Sequence, residues 1–147
     1  MKRRGLLVGA LLALAACAST PDAGFSSDRI SVVSRGSGSD VILIHGLSSS
    51  RDVWNATADA LDDTHRVHLV QLNGFASAPA AGAAEGNVSG PAADEIARYI
   101  RETGLNRPAV IGHSMGGTIG MMLTARHPDA VGNLMVVDMF PFMGAMF

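Results

Sequence analysis

Cysteine is almost absent from this chain, which has 147 residues and a single cysteine, Cys17. One cysteine cannot form an intrachain disulfide, so the fold must depend on its core. Charged residues make up 16% and aromatic residues 5% of the sequence, and the formal net charge is −2. No basic patch or aromatic ladder is present, which argues against nucleic acid as a partner. The apolar fraction of 48% is typical of a globular domain.

Basic residues are also scarce, and three of them stand together at positions 2–4. An apolar run follows at 6–16, and it is too short to span a bilayer. A positive segment before a short apolar run is typical of a secretory signal. The sequence therefore predicts that residues 1–16 are a targeting segment and not part of the fold.

The end of this apolar run, Leu14-Ala15-Ala16-Cys17, resembles the lipobox of bacterial lipoproteins. The resemblance implies a signal peptide over 1–16 and a lipid on Cys17. The mature protein would then be anchored in the bacterial cell envelope, at the outer membrane if the host is Gram-negative. The alternative is an ordinary secretory signal cut near Ala18, in which Cys17 has no role.

Short apolar runs alternate with helix-like stretches along the rest of the chain. Residues 17–28 are small and polar and are interpreted as a tether, so the domain is expected to occupy 29–147. Strands are predicted at 41–44, 67–72, 108–111 and 133–137, with a weaker, edge-like strand at 30–34. Helices are predicted at 52–61, 91–103 and 117–126, and a long surface loop at 73–90. This alternation predicts an α/β fold, with a doubly wound, mainly parallel sheet and helices on both faces.

The most informative motif is Gly112-His113-Ser114-Met115-Gly116, a G-x-S-x-G pattern between a predicted strand and a predicted helix. Such a turn forces its serine out of the sheet, where a substrate can reach it. A side chain at Gly112 or Gly116 would collide with the neighbouring strand or helix. A serine hydroxyl still needs an adjacent base and an anion-stabilising pocket before it can act as a nucleophile.

A second motif, His45-Gly46-Leu47, follows the predicted strand at 41–44, and Trp54 lies between the two motifs. Together they resemble the N-terminal portion of the α/β-hydrolase superfamily, in its serine esterase and lipase-like group. The resemblance covers roughly residues 30 to 138. One segment departs from it, because many relatives begin the turn after the second strand with aspartate where this chain has Gln71. That aspartate is mainly structural in relatives, so the departure suggests a distinct subgroup.

The resemblance implies a role for each matching residue. Ser114 matches the nucleophile, and the backbone N–H groups of Leu47 and Met115 match the two oxyanion-hole donors. The glycines of the two turns are Gly46, Gly112 and Gly116. No metal and no organic cofactor is implied.

None of the five histidines is expected to be the general base. His45 is expected to order its loop, and His113 to pack against the top of the sheet. His65 and His68 have no partner at metal-ligand spacing. His127 ends a predicted helix, where a cation suits the helix dipole.

The base of the family comes from a loop after its last strand, which a chain ending at Phe147 does not reach. The apolar tail at 139–147 also suggests an interior segment that has lost its continuation. Asp138 is a candidate for the catalytic acid, because some members supply the acid at the end of this strand. The alternative is that Asp138 only caps a loop.

Two functions are compatible with these observations. The first is a serine hydrolase that acts on carboxylic ester or thioester bonds of small molecules through an acyl-enzyme. Halide- and epoxide-cleaving relatives carry an aspartate at the position of Ser114, which argues against those reactions. The second is a catalytically inactive, truncated hydrolase, or a lipid-anchored binding module, that lacks the general-base histidine.

Overall fold

A computed structural model describes residues 20–21, 24–80 and 86–139 of the chain. The predicted signal peptide, the lipid-attachment residue Cys17 and residues 140–147 of the apolar tail lie outside these ranges. No helix within the described ranges has the length and apolar character needed to cross a membrane.

The strands form one mixed sheet in the order β1-β2-β4-β3-β5-β6. Their bounds are Thr20–Pro21 for β1, Ile30–Gly36 for β2, Ser39–Ile44 for β3, His65–Leu72 for β4, Ala109–His113 for β5 and Asn133–Val137 for β6. The four strands β3 to β6 are parallel, whereas β1 and β2 run antiparallel to their neighbours. The predicted doubly wound, mainly parallel sheet is confirmed.

Helices cover both faces of the sheet, as predicted. Helix α1 spans Asn55–Leu61, α2 spans Ser89–Glu102 and α3 spans Met115–Arg126. The α1 face buries Val41, Leu43, Val67 and Leu69, while the α2 and α3 face buries Ile42, Ile44, Val70 and Leu72. Successive strand residues point to opposite faces, so a strand covered on both sides is apolar at every position.

The helix predicted at 52–61 consists of two elements. A 3₁₀ turn at Arg51–Trp54 precedes α1. The Oγ atom of Ser50 accepts the backbone N–H of Asp52 at 3.3 Å and caps this turn. The cap stabilises the start of this helical segment, one residue before the predicted start.

The N-terminal part of the domain differs from the expected edge strand and tether. Strand β2 lies between β4 and the short β1, so it is an interior strand of the described sheet. Phe25 packs edge-on against Tyr99 of α2 with ring centroids 5.1 Å apart. The guanidinium of Arg98 lies 4.5 Å from the centroid of Phe25 and donates to the backbone carbonyl of Ser26 at 2.7 Å. The described residues of 17–28 therefore contact the domain, because one aromatic ring finds a partner far along the chain.

Candidate active site

The two motifs meet at the carboxyl edge of the parallel sheet. Strand β3 leads into His45 and Gly46, and strand β5 leads into Ser114, which is followed at once by α3. The two strands are hydrogen-bonded neighbours, and Ile44 stands opposite Gly112. Ligands of open α/β sheets bind at this edge, so the sheet brings the motifs together where a ligand site is expected.

Ser114 occupies the apex of a sharp turn, residues 112–116, with φ of 52° and ψ of −120°. This left-handed conformation is costly for a residue with a Cβ and persists only where surrounding contacts enforce it. The backbone N–H of Ser114 donates to Val137 of β6 at 2.9 Å. Its carbonyl accepts from the N–H groups of Gly117 and Thr118 at 2.8 and 3.2 Å. The main chain is thus held on both sides, while the hydroxyl makes no hydrogen bond to any described residue.

Close backbone contacts explain the glycines around this turn. A Cβ on Gly112 would lie 2.2 Å from the carbonyl oxygen of Gly116, and one on Gly116 would lie 2.3 Å from that of Ile44. A Cβ on Gly46 would lie 3.2 Å from the Cβ of Ser114. Strand β3, strand β5 and helix α3 therefore meet at a separation that excludes side chains at 112 and 116.

The two expected oxyanion donors lie on either side of this junction. Met115 is the first residue of α3, and its N–H has no acceptor among the described residues. The positive end of the helix dipole lies there, which favours an anion. The N–H of Leu47 is equally without a described acceptor, and the Leu47 side chain is 64% exposed. Neither N–H group is therefore engaged within the described part of the chain.

The histidine of the first motif is buried and fully hydrogen-bonded. His45 Nε2 accepts the backbone N–H of Leu72 at 3.0 Å, and Nδ1 lies 2.8 Å from the carbonyl oxygen of Gly46. Burial lowers the pKa of His45 below its ordinary value, although the hydrogen bond to Gly46 opposes this shift, and the charge of Arg51 lowers it further. His45 is therefore a neutral, immobile ring that bridges β3 and β4.

His113 and Asp138 form an exposed pair next to Ser114. Asp138 follows β6, has φ of 53° and exposes 87% of its side chain. One of its carboxylate oxygens lies 3.7 Å from Nε2 of His113, whose side chain is 41% exposed. His113 was expected to pack against the top of the sheet, and the structure adds a carboxylate partner for its ring, because β6 ends beside β5 at the open edge.

The remaining histidines have partners elsewhere. His65 contacts the hydroxyl of Thr64 at 2.8 Å, and His127 contacts Asp94 at 2.9 Å. No group of three or more histidine, cysteine, aspartate or glutamate side chains that could hold a metal ion occurs in the described part of the chain.

Sequence reasoning missed a buried polar network at the opposite edge of the sheet. His68 Nε2 lies 3.0 Å from Asp40, and Nδ1 lies 2.6 Å from the hydroxyl of Tyr99. Asp40 also accepts from Arg66 at 2.6 Å. Burial tends to raise the pKa of Asp40, but the hydrogen bonds and charges of Arg66 and His68 outweigh it and lower that pKa. The only signal in the sequence was a histidine inside an apolar strand.

Sequence reasoning also underestimated Gln71. Its side chain is buried, and its Oε1 atom accepts the backbone N–H of Arg51 at 3.0 Å. Its Nε2 atom donates to the carbonyls of Leu72 and Phe75 at 2.9 and 3.3 Å. The departure from aspartate at this position was visible in the sequence, but its hydrogen-bond partners were not.

Several known proteins are similar to this chain. A pimeloyl-[acyl-carrier protein] methyl ester esterase of Aeromonas hydrophila is 34% identical over 112 residues, which cover 76% of this chain and 42% of that protein. A fluoroacetate dehalogenase of Burkholderia is 31% identical over 115 residues, covering 76% and 38% respectively. A solved esterase structure from a marine microorganism has a TM-score of 0.65 and 34% identity, with 75% of this chain and 41% of that chain covered. The chain thus spans at most 42% of the length of these relatives.

A family described by the α/β hydrolase fold matches residues 41–145. That range holds both motifs, four of the six residues of β3, the strands β4 to β6 and the three helices of the described residues. The sheet order and the Ser114 turn are consistent with this match. The chain belongs to the α/β hydrolase fold family.

Proposed function

We propose that this protein is a serine hydrolase that cleaves carboxylic ester or thioester bonds of small molecules, with Ser114 as its nucleophile. The observation that carries the proposal is the conformation of Ser114, held at φ of 52° by backbone hydrogen bonds while its hydroxyl remains free. Strain of this kind is concentrated at functional sites, because ordinary packing would not maintain it.

The chemistry follows from the groups around Ser114. Its Oγ atom attacks the carbonyl carbon of the substrate while its proton passes to the general base, and the carbonyl oxygen becomes an oxyanion. The N–H groups of Leu47 and Met115 donate to that oxyanion. The alcohol or thiol leaves with a proton, an acyl-enzyme remains, and water releases the acid and regenerates Ser114.

The general base is proposed to come from outside this sequence. All five histidines lie in the described ranges, and no hydrogen bond joins any of them to the hydroxyl of Ser114 there. Asp138 follows the strand next to β5 and is mostly exposed, so its carboxylate is available to orient an incoming histidine. Alternatively, the Asp138 carboxylate serves only as the partner of His113.

The relatives favour ester chemistry but include another reaction. Two of the similar proteins are esterases, whereas the third is a dehalogenase. The residue at 114 supports the esterase, because the resemblance places an aspartate there in halide-cleaving members. A second candidate is a binding module without turnover, favoured because no histidine of the described residues is hydrogen-bonded to the Ser114 hydroxyl.

The test is covalent labelling with a fluorophosphonate, together with hydrolysis of p-nitrophenyl acetate, carried out on the protein with the part that supplies the general base present. We expect a single adduct on Ser114, and we expect Ser114→Ala to lose both labelling and turnover. Ser37→Ala, in the exposed turn between β2 and β3 at the opposite edge of the sheet, is the matched control and should retain both. Turnover that survives in Ser114→Ala would refute the assigned nucleophile, and ester binding without labelling would favour the binding module.

Anchoring in the cell envelope is a separate proposal that depends on the sequence alone. It is supported by the lipobox-like residues 14–17, and Cys17 lies outside the described residues.

A further inference from the structure

Two buried polar side chains, His45 and Gln71, lie beside the candidate active site and take no part in the proposed chemistry. His45 is fully buried and Gln71 is 6% exposed. His45 follows β3, and Gln71 lies near the end of β4, so both stand at the carboxyl edge of the sheet. Buried polar groups are costly unless hydrogen-bonded, which makes their partners informative.

The partners of His45 determine its protonation. Its Nε2 atom faces a backbone donor, the N–H of Leu72, at 3.0 Å, so Nε2 must offer a lone pair. The ring proton is therefore on Nδ1, which donates to the carbonyl of Gly46 at 2.8 Å. In a protonated ring, the Nε2–H group would face the N–H group of Leu72, and two donors cannot form a hydrogen bond. The site thus selects one neutral tautomer.

This hydrogen bond also fixes the direction of the next N–H group. The Gly46–Leu47 peptide is trans, as are all the described peptide bonds. In a trans peptide the C=O and N–H bonds point in opposite directions. Because the Gly46 carbonyl is held against the His45 ring, the Leu47 N–H points away from that ring. Leu47, which carries this N–H group, is 64% exposed.

Gln71 holds the other end of the same loop. Residues 46–51, here called the oxyanion loop, end at Arg51, whose N–H donates to Gln71 Oε1 at 3.0 Å. The amide nitrogen of Gln71 donates to two carbonyls, those of Leu72 and Phe75. A carboxylate at 71 could accept from Arg51 but could not donate to either carbonyl. Phe75 in turn lies edge-on to the His45 ring, with centroids 6.3 Å apart.

We propose that His45 and Gln71 are positioning residues that hold both ends of the oxyanion loop and direct the Leu47 N–H toward the oxyanion. The inference rests on the proposed function, because Leu47 is the donor only if Ser114 is the nucleophile. Neither residue touches the substrate. Each acts through the backbone, His45 on the Gly46–Leu47 peptide and Gln71 on Arg51.

The kinetic test separates positioning from binding. Loss of a single oxyanion donor lowers kcat by roughly 100- to 1,000-fold in a known case, so a misdirected donor in His45→Ala should lower kcat by about 10- to 100-fold. KM for p-nitrophenyl acetate should change by less than about threefold, since ground-state binding is untouched. His45→Asn should restore most of kcat, because its amide nitrogen occupies the place of Nδ1.

Two further variants complete the kinetic series. Gln71→Glu should lower kcat and change KM by a smaller factor. The glutamate keeps the acceptor for the Arg51 N–H and loses the hydrogen bonds donated to the carbonyls of Leu72 and Phe75. His65→Ala, at the far end of β4, is the matched control and should leave kcat unchanged. Equal kcat in His45→Ala and wild type would overturn the proposal, as would a loss in His45→Ala that appears only in KM.

A spectroscopic test decides the proposal without turnover. In ¹⁵N NMR of the full-length wild-type chain, we expect the His45 ring as the Nδ1–H tautomer and the Leu72 amide protected from exchange. The Leu47 amide resonance should shift in His45→Ala and return in His45→Asn. An Nε2–H tautomer in the wild type, or an unmoved Leu47 resonance, would overturn the proposal. If Ser114→Ala retains turnover, the proposed function fails. The His45 and Leu47 resonances would still decide whether His45 directs the Leu47 N–H.

Discussion

Replacing the strained Ser114 by glycine should stabilise the protein while removing the proposed nucleophile. Ser114 has φ of 52° and ψ of −120°, a combination that glycine adopts with little cost. The three hydrogen bonds that hold this residue all use backbone atoms, so Ser114→Gly retains them. The serine hydroxyl has no described partner, and its removal costs no hydrogen bond within the described chain.

The magnitude follows from two opposing contributions. Relief of the strained backbone is worth about 1–3 kcal/mol of unfolding free energy. Glycine gives the unfolded chain more freedom, which costs about 0.5–1 kcal/mol. The net expectation for Ser114→Gly is a gain of about 1 kcal/mol, equivalent to a rise in Tm of roughly 4 °C.

Urea denaturation of wild type, Ser114→Gly and Ser114→Ala measures this effect. Ser114→Ala keeps the Cβ and hence the strain, so its unfolding free energy should stay within about 0.5 kcal/mol of wild type. Ala125→Gly, on an exposed turn of α3 with ordinary helical geometry, is the matched control and should lose about 1 kcal/mol. A Ser114→Gly protein less stable than Ser114→Ala would refute the reasoning, because the turn would then hold no strain that glycine relieves.

Two further changes test the close contacts and the buried network. Gly112→Ala places a Cβ 2.2 Å from the rigid carbonyl of Gly116, so its unfolding free energy in urea should fall by roughly 3 kcal/mol. In the control, Gly90→Ala, the new Cβ meets only a flexible guanidinium at 3.1 Å, and the unfolding free energy should change by less than about 1 kcal/mol. Equal losses in the two variants would contradict the steric argument. Burial tends to raise the pKa of Asp40, but folding lowers it overall, mainly through the hydrogen bond from Arg66. The stability that Asp40 contributes is therefore present above its unfolded pKa and is lost as pH falls through its folded pKa. Asp40→Asn should therefore flatten the acid limb of a plot of unfolding free energy against pH, and an unchanged acid slope would count against this assignment.

The local pattern of the sequence was sufficient to predict the parallel strands and the Ser114 turn. Apolar runs such as 41–44 predicted strands buried on both faces, and α1, α2 and α3 cover those faces. The glycines at 112 and 116 predicted a turn too tight for side chains, which the backbone contacts explain. These features depend on residues close together in the chain, where periodicity and steric size act directly.

Contacts between distant residues could not be predicted in the same way. His45 bonds to Leu72, Gln71 bonds to Arg51, and His68 joins two elements through Asp40 and Tyr99. A single sequence shows which side chains are polar and which segments are apolar. It does not show which strands are neighbours in the sheet. The hydrogen-bond partner of a buried polar group therefore cannot be identified from the sequence.

The sequence by itself determined the α/β alternation, the two motifs and the residue types at the site, because each follows from neighbours within a few positions. Only the tertiary structure decided that β2 is an interior strand, that His113 meets Asp138, and that His45 and Gln71 hold the two ends of one loop. The physical reason is the same in each case. Hydrogen-bond partners across a sheet are set by strand order and register, and these emerge only when the whole core assembles.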